Sequence, residues 1–194
     1  MSTTRTNDIN EIDEVKKQVI ELGRCYALWW YFLEKSNASR YARVERHYPD
    51  FFITIADSLR TSFFVTAYRL FDKRTDVCSL ALLVNRVDGS DPALRAMLRG
   101  KIAAIEDIIE NKVKVLRHKV FAHRDRSQPP EDWFAEAGIS PKEMKAVVRT
   151  AQDIISTLVG AAAKAVLAEE LRSYEDAVRC DAHSLMQLLD QYTE

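Results

Sequence analysis

The residues best suited to chemistry lie late in the chain: Arg117, His118 and His123, inside a string that reads LRHKVFAHRD. Histidine gives and takes protons near neutral pH. Arginine keeps its charge and presents a planar fork of donors that matches phosphate oxygens. Together they supply what cleavage of RNA without a metal requires: a base for the 2′-hydroxyl proton, a cation for the phosphorane and an acid for the leaving 5′-oxygen. Lys119, Arg124 and Arg126 stand among them and are read as contacts to the RNA backbone. Between Lys112 and Arg126 six cations face one anion, Asp125, a local net charge of +5 in a chain whose overall charge is −1. Lys112 and Lys114 also have a plainer reading, as cations that suit the C-terminal end of a helix.

Spacing alone does not assemble a site. Six residues along an ideal helix turn the side chain by about 240°, so Arg117 and His123 would face apart. They converge if the helix ends or kinks between them, or if two subunits each contribute a part. Each residue also has a structural reading. His123 would donate to a loop carbonyl, Arg117 would pair with Asp125 or Asp72, and His118 would orient Arg117 or face water. Arg69 and Asp72 read as an ion pair near the end of an earlier helix, or, with Asp125, as groups that hold the site from behind. His47 and His183 are read as uninvolved, and Trp133 and Phe134 as anchors of the loop after His123.

The elements that must position these residues are helical. Hydrophobic residues make up 47% and charged residues 29% of 194, with only 5 Gly and 5 Pro, and no stretch alternates with period two. The expectation is one all-α domain, an up-down bundle of four to six helices, with its core in residues 10–165 and a helical extension over 166–194. A first helix runs from Asn7 or Asn10 to Glu34 on the stripe Ile12, Val15, Val19, Leu22 and Tyr26, and a loop follows at Ser36–Ser39. Asp50 is read as the cap of a second helix with Phe52, Ile55, Ala56, Leu59, Phe63, Ala67 and Leu70 on its core face. A short helix spans Val77 to Arg86, and Asp91 caps the next. That fourth helix carries Leu94, Leu98, Ile102, Ile105, Ile109, Val113 and Leu116 at period 3.6 and runs straight into Arg117. Ser140-Pro141-Lys142-Glu143 is a capping box that opens a helix toward Leu167 or beyond, with Leu171 to Leu189 as its continuation or a separate helix.

Three scattered cysteines, Cys25, Cys78 and Cys180, form neither a metal-ligand pattern nor a disulfide framework, and read as reduced, mostly buried thiols. The longest apolar run, Tyr26 to Leu33, is too short to span a membrane; a cytoplasmic protein is expected. The segment Glu169–Glu194 carries seven acids against two arginines, a charge suited to folding over the basic stretch and restraining it.

The string LRHKVFAHRD after an apolar helix, with AYRLFD in an earlier core helix, resembles the HEPN superfamily, and most closely its abortive-infection and toxin-like members. That family is marked by an Arg, a polar residue and, a few residues on, a His; Arg117, His118 and His123 match, with His118 standing where Asn is commonest. The resemblance implies a helical bundle, a homodimer that brings two motifs together, and metal-independent RNA cleavage to a 2′,3′-cyclic phosphate. No metal or cofactor is implied. The implied partners are RNA, a second copy, and an antitoxin or regulatory protein. The alternative within the same fold is a non-catalytic module that binds RNA, a nucleotide or a protein partner.

Overall fold

The computed structural model describes residues 3–87, 91–121 and 137–193. Within them the chain forms α1 (Thr3–Leu33), α2 (Lys35–Arg40), α3 (Ala42–His47), α4 (Pro49–Phe71), α5 (Leu80–Arg86), α6 (Pro92–Ala103), a π-helical turn (Ile108–Val113), α7 (Lys114–Phe121), α8 (Pro141–Leu158) and α9 (Ala161–Gln191). No strand occurs among the described residues, and the fold is all-α.

Helix α1 is the spine, packed against α4, α8 and α9. Its stripe is apolar at helical spacing, so burying it drives the packing: Val15, Val19 and Leu22 are wholly buried. They meet Phe63, Phe64, Ala67 and Leu70 of α4, Met144, Val147, Ala151, Ile154 and Ile155 of α8, and Leu167 and Leu171 of α9 in one core. A second, smaller cluster joins Tyr31, Tyr41 and Val44 to Ala182 and Met186 near the far end of α9. There His183 Nδ1 lies 3.1 Å from the Tyr31 hydroxyl and 3.2 Å from that of Tyr41. Where α1 crosses α9, Gly23 leaves space for Glu175: a Cβ at that position would stand 2.8 Å from Glu175 Oε1.

Several local expectations are corrected. Ser36–Ser39 lies within the short helix α2, not a loop; the Asn37 side chain donates to the Tyr31 carbonyl at 3.0 Å and satisfies one of the open carbonyls at the end of α1. Tyr48, not Asp50, is the N-cap of α4, because Pro49 with its fixed φ takes the first helical position. The fully buried positions of α4 lie in its second half; in the first half Phe52, Ile55, Ala56 and Leu59 are half-buried, with Leu59 packed against the main core and Phe52 against the second cluster. The helix after the capping box stops at Leu158, where Gly160 at φ 82° breaks it, and α9 is a separate helix. Of the thiols, Cys25 is buried, Cys78 half-buried and Cys180 exposed.

The rod expected to run straight from Leu94 to Arg117 is broken. Asp91 caps α6 through the Leu94 amide at 2.8 Å, but α6 ends at Ala103, and the π turn intervenes before α7. Leu98, Ile105, Ile109, Val113 and Leu116 are all buried nonetheless. Ile105, Ile109 and Val113 are separated by two successive fours, and this is where the turn widens to keep all three inward. Ser140 and Glu143 form the expected capping box, with Ser140 Oγ accepting from the Glu143 amide and Glu143 accepting from that of Ser140.

Candidate functional site

The π turn feeds directly into α7, so the rotation it introduces sets where Arg117 and His118 point. Leu116, wholly buried, fixes the register of α7 in the core. Arg117 is then half-buried and His118 exposed, at the end of an element whose backbone is held from beneath. Helix α4 packs along both the π turn and α7, and it contributes the residue that organises the pair. The Arg117 guanidinium lies over the face of Tyr68, 4.6 Å from the ring centroid. The His118 imidazole meets the same ring edge to face at 6.3 Å. A cation on an aromatic face is held by the ring quadrupole while its N–H edge stays available.

Beside this group opens a cavity of about 490 Å³ between the end of α4, the segment 72–79 and α7. Arg69, Asp72, Arg74 and Arg117 all line it. Asp72 is buried at the C-terminal end of α4. Its carboxylate accepts from the Arg74 backbone amide and from Arg74 Nε, both at 3.0 Å, and this carboxylate pushes the guanidinium pKa of Arg74 upward. The Asp72 carbonyl accepts from Ser79 Oγ at 2.8 Å, and the same hydroxyl caps α5 through the Leu82 amide. The segment from α4 to α5 is thus tied at both ends by Asp72 and Ser79.

The predicted residues divide into three groups. Arg117, His118, Arg69 and Asp72 are described: Arg117 rests on Tyr68 rather than pairing with Asp72, and Arg69 and Asp72 bond to other partners, Arg69 to Glu14 at 3.5 Å and Asp72 to Arg74. His123, Arg124, Asp125 and Arg126, and the side chain of Lys119, lie outside the described residues, as do Trp133 and Phe134. Lys112 and Lys114 are matched by carboxylates. Lys112 bonds Glu143 at 2.6 Å and the Gly138 carbonyl at 3.0 Å, holding the Glu143 carboxyl below its ordinary pKa, and Lys114 bonds Glu110 at 2.8 Å. The acidic end of the chain finds its partners elsewhere in the bundle, with Glu170 on Lys16, Glu175 on Gln152 and Asp190 on Arg43.

Tyr68 and Arg74 were not among the predicted site residues. Tyr68 stood in the AYRLFD string that carries part of the family resemblance; Arg74 had only its position two residues after Asp72. Burial raises the pKa of Cys78 at the cavity wall, which leaves its thiol protonated at neutral pH and removes it as a nucleophile. Among the described residues no three His, Cys, Asp or Glu side chains are grouped to hold a metal ion, and no helix is long and apolar enough to cross a membrane.

Arg117 and His118, the first two motif positions in the string that carries the family resemblance, thus share one aromatic ring at the edge of an open cavity. Comparison with known families decides the point: the family described as HEPN_AbiU2 (AbiU2) matches residues 9–179. The chain belongs to that family. It is a HEPN-type domain of the kind associated with abortive infection, and its all-α bundle is HEPN-like. No curated protein and no solved structure matches the chain. The matched span reaches from early in α1 to well inside α9 and so includes every element that borders the cavity.

Proposed function

We propose that this HEPN-type domain is a metal-independent endoribonuclease that acts as the toxin of an abortive-infection defence system in the cytoplasm. The observation that carries the reading is Arg117, held by Tyr68 at 4.6 Å on the rim of an open cavity with His118 against the same ring. In the proposed reaction a histidine takes the proton of the ribose 2′-hydroxyl, and the 2′-oxygen attacks the adjacent phosphorus. Arg117 neutralises the charge that builds on the phosphorane oxygens. The bond from phosphorus to the 5′-oxygen then breaks, a protonated histidine gives that oxygen its proton, and a 2′,3′-cyclic phosphate and a 5′-hydroxyl remain. His123 is assigned as the principal acid/base and His118 as its assistant. Lys119, Arg124 and Arg126 would track the backbone of the strand. Two proton transfers and one motif per chain favour a homodimer that apposes two copies, and a protein that silences the enzyme would cover this face.

Incubating purified protein with RNA in EDTA tests the assignment. Arg117→Ala and His123→Ala are each expected to slow cleavage by about 100-fold or more. Cleavage at the wild-type rate by both variants overturns the roles given to them. RNA binding without cleavage by the wild-type protein assigns the chain to the non-catalytic reading.

A further inference from the structure

The cavity next to Arg117 contains two further guanidiniums that the cleavage reaction above does not use, Arg69, which pairs with Glu14, and Arg74. Arg74 is anchored through its Nε and its backbone amide to one buried carboxylate, Asp72, while its side chain is 64% exposed. Among the described residues its two η-nitrogens have no hydrogen-bond partner, so the outward edge of the fork is open. The carboxylate fixes one edge of the long side chain, and the donors that remain match phosphate oxygens bidentately; Asp76 also lines the cavity, so the guanidiniums of Arg69, Arg74 and Arg117 stand there against the carboxylates of Asp72 and Asp76. The lining also includes Val65 and Val77, which add apolar surface to the polar groups. A cavity of about 490 Å³ falls within the range that takes a small organic ligand, roughly 300–1,000 Å³.

We propose that this cavity is a nucleotide subsite, in which Arg74 and Arg117 hold phosphate and the apolar part of the lining accepts the base. The proposal rests on the reading of Arg117 as the phosphate-holding group of a ribonuclease, and it adds the nucleotide neighbouring the scissile bond as the occupant. Asp72 is a positioning residue here, acting through Arg74. The shared chemistry is a nucleoside monophosphate unit, either one residue of an RNA strand or a free nucleotide.

Binding rather than cleavage is the readout, so the subsite and the nuclease can fail separately. The probes are a labelled oligoribonucleotide made uncleavable by 2′-O-methylation and a free nucleoside monophosphate. Arg74→Gln removes the charge but keeps a donor for Asp72; Arg74→Lys keeps the charge without the fork; Lys101→Gln, whose ammonium pairs with Asp153 outside the cavity lining, is the control. Circular dichroism and melting confirm that each variant is folded. The expected result is about tenfold weaker binding of the oligonucleotide by Arg74→Gln, with the slope of log affinity against log salt shallower by about 0.7, one phosphate contact on a single strand. Arg74→Lys is expected to retain the salt slope with weaker binding, and Lys101→Gln to bind as wild type. Arg74-dependent binding of the monophosphate at the same affinity assigns the subsite to free nucleotide; Arg74-dependent binding of the oligonucleotide alone assigns it to RNA. Equal binding by wild type and Arg74→Gln, or wild-type protein that binds neither probe, overturns the subsite. Wild-type protein that binds through Arg74 and cuts nothing in EDTA retains the subsite and removes the nuclease.

Discussion

An arginine that rests on an aromatic face loses rotational freedom before substrate arrives and keeps its hydrogen-bonding edge in the plane of the fork. Tyr68 gives Arg117 that support, and its ring also meets His118. Tyr68→Phe keeps the ring and is expected to cleave RNA within about twofold of wild type; Tyr68→Leu removes the quadrupole, worth about 0.5–1 kcal/mol at an exposed site, and is expected to lower kcat several-fold with KM little changed. Steady-state kinetics on one RNA substrate checks both, and a Phe variant as impaired as the Leu variant would assign the role to the hydroxyl instead. Arg117 and His118 were legible in the sequence because residue type alone limits what a basic fork beside an imidazole does. Tyr68 was not, because it lies 49 positions before Arg117 and only the packing of α4 along α7 joins them. The same holds for Arg74: its value depends on Asp72 being buried, which no short motif reveals.

The π turn is the element that aims the site. It adds backbone between α6 and α7 without disturbing the buried stripe, so the hydrophobic period that correctly marks Ile109, Val113 and Leu116 as core cannot distinguish it from a straight helix. Inserting one alanine after Asn111, an exposed residue within the turn, adds a residue beyond the one the turn already absorbs and is expected to rotate Arg117 by about 100°. Helical content measured by circular dichroism should stay near wild type while RNA cleavage falls at least tenfold; undiminished cleavage would show that the turn does not aim the site. Capping signals were more legible, since Ser140-Pro141-Lys142-Glu143 and Asp91-Pro92 place a side-chain acceptor over open amides using adjacent residues only. The α8 and α9 pair carries a pH signature. Burial raises the Glu175 carboxyl above its ordinary pKa despite the bond from Gln152. A carboxyl with a raised folded value binds its proton more tightly in the folded protein, so its favourable contribution is greatest in acid and is lost as pH rises through that value. Glu175→Gln is therefore expected to melt higher than wild type at pH 7 and together with it at about pH 3.5, below the ordinary Glu value. A lower melting temperature for the variant at pH 7 would contradict this account of the α1–α9 contact.

At the scale of the molecule, α1 gathers α4, α8 and α9 around one core, and the π turn and α7 lie against α4 while α6 packs on α5 and α8, with the candidate site on α7 and the end of α4. That arrangement follows from amphipathic stripes and was largely readable from period 3.6. Its finer joints, the helical α2, the Gly160 break and the π turn, depend on backbone geometry that composition only hints at. The proposed dimer adds one consequence. Arg117→Ala and His123→Ala chains, each inactive alone, are expected to regain up to about half the activity of a wild-type dimer per mixed dimer if each site draws Arg117 from one chain and His123 from the other. No recovery after co-refolding would place both residues of a site on one chain. The most direct test of the proposed chemistry is the nucleophile itself. A defined RNA cut by the wild-type protein in EDTA should yield a 2′,3′-cyclic phosphate, and a single 2′-deoxy substitution at the cut nucleotide should abolish cleavage there while binding is retained. Cleavage that persists at the deoxy position, or that leaves a 3′-hydroxyl end, would contradict attack by the 2′-hydroxyl.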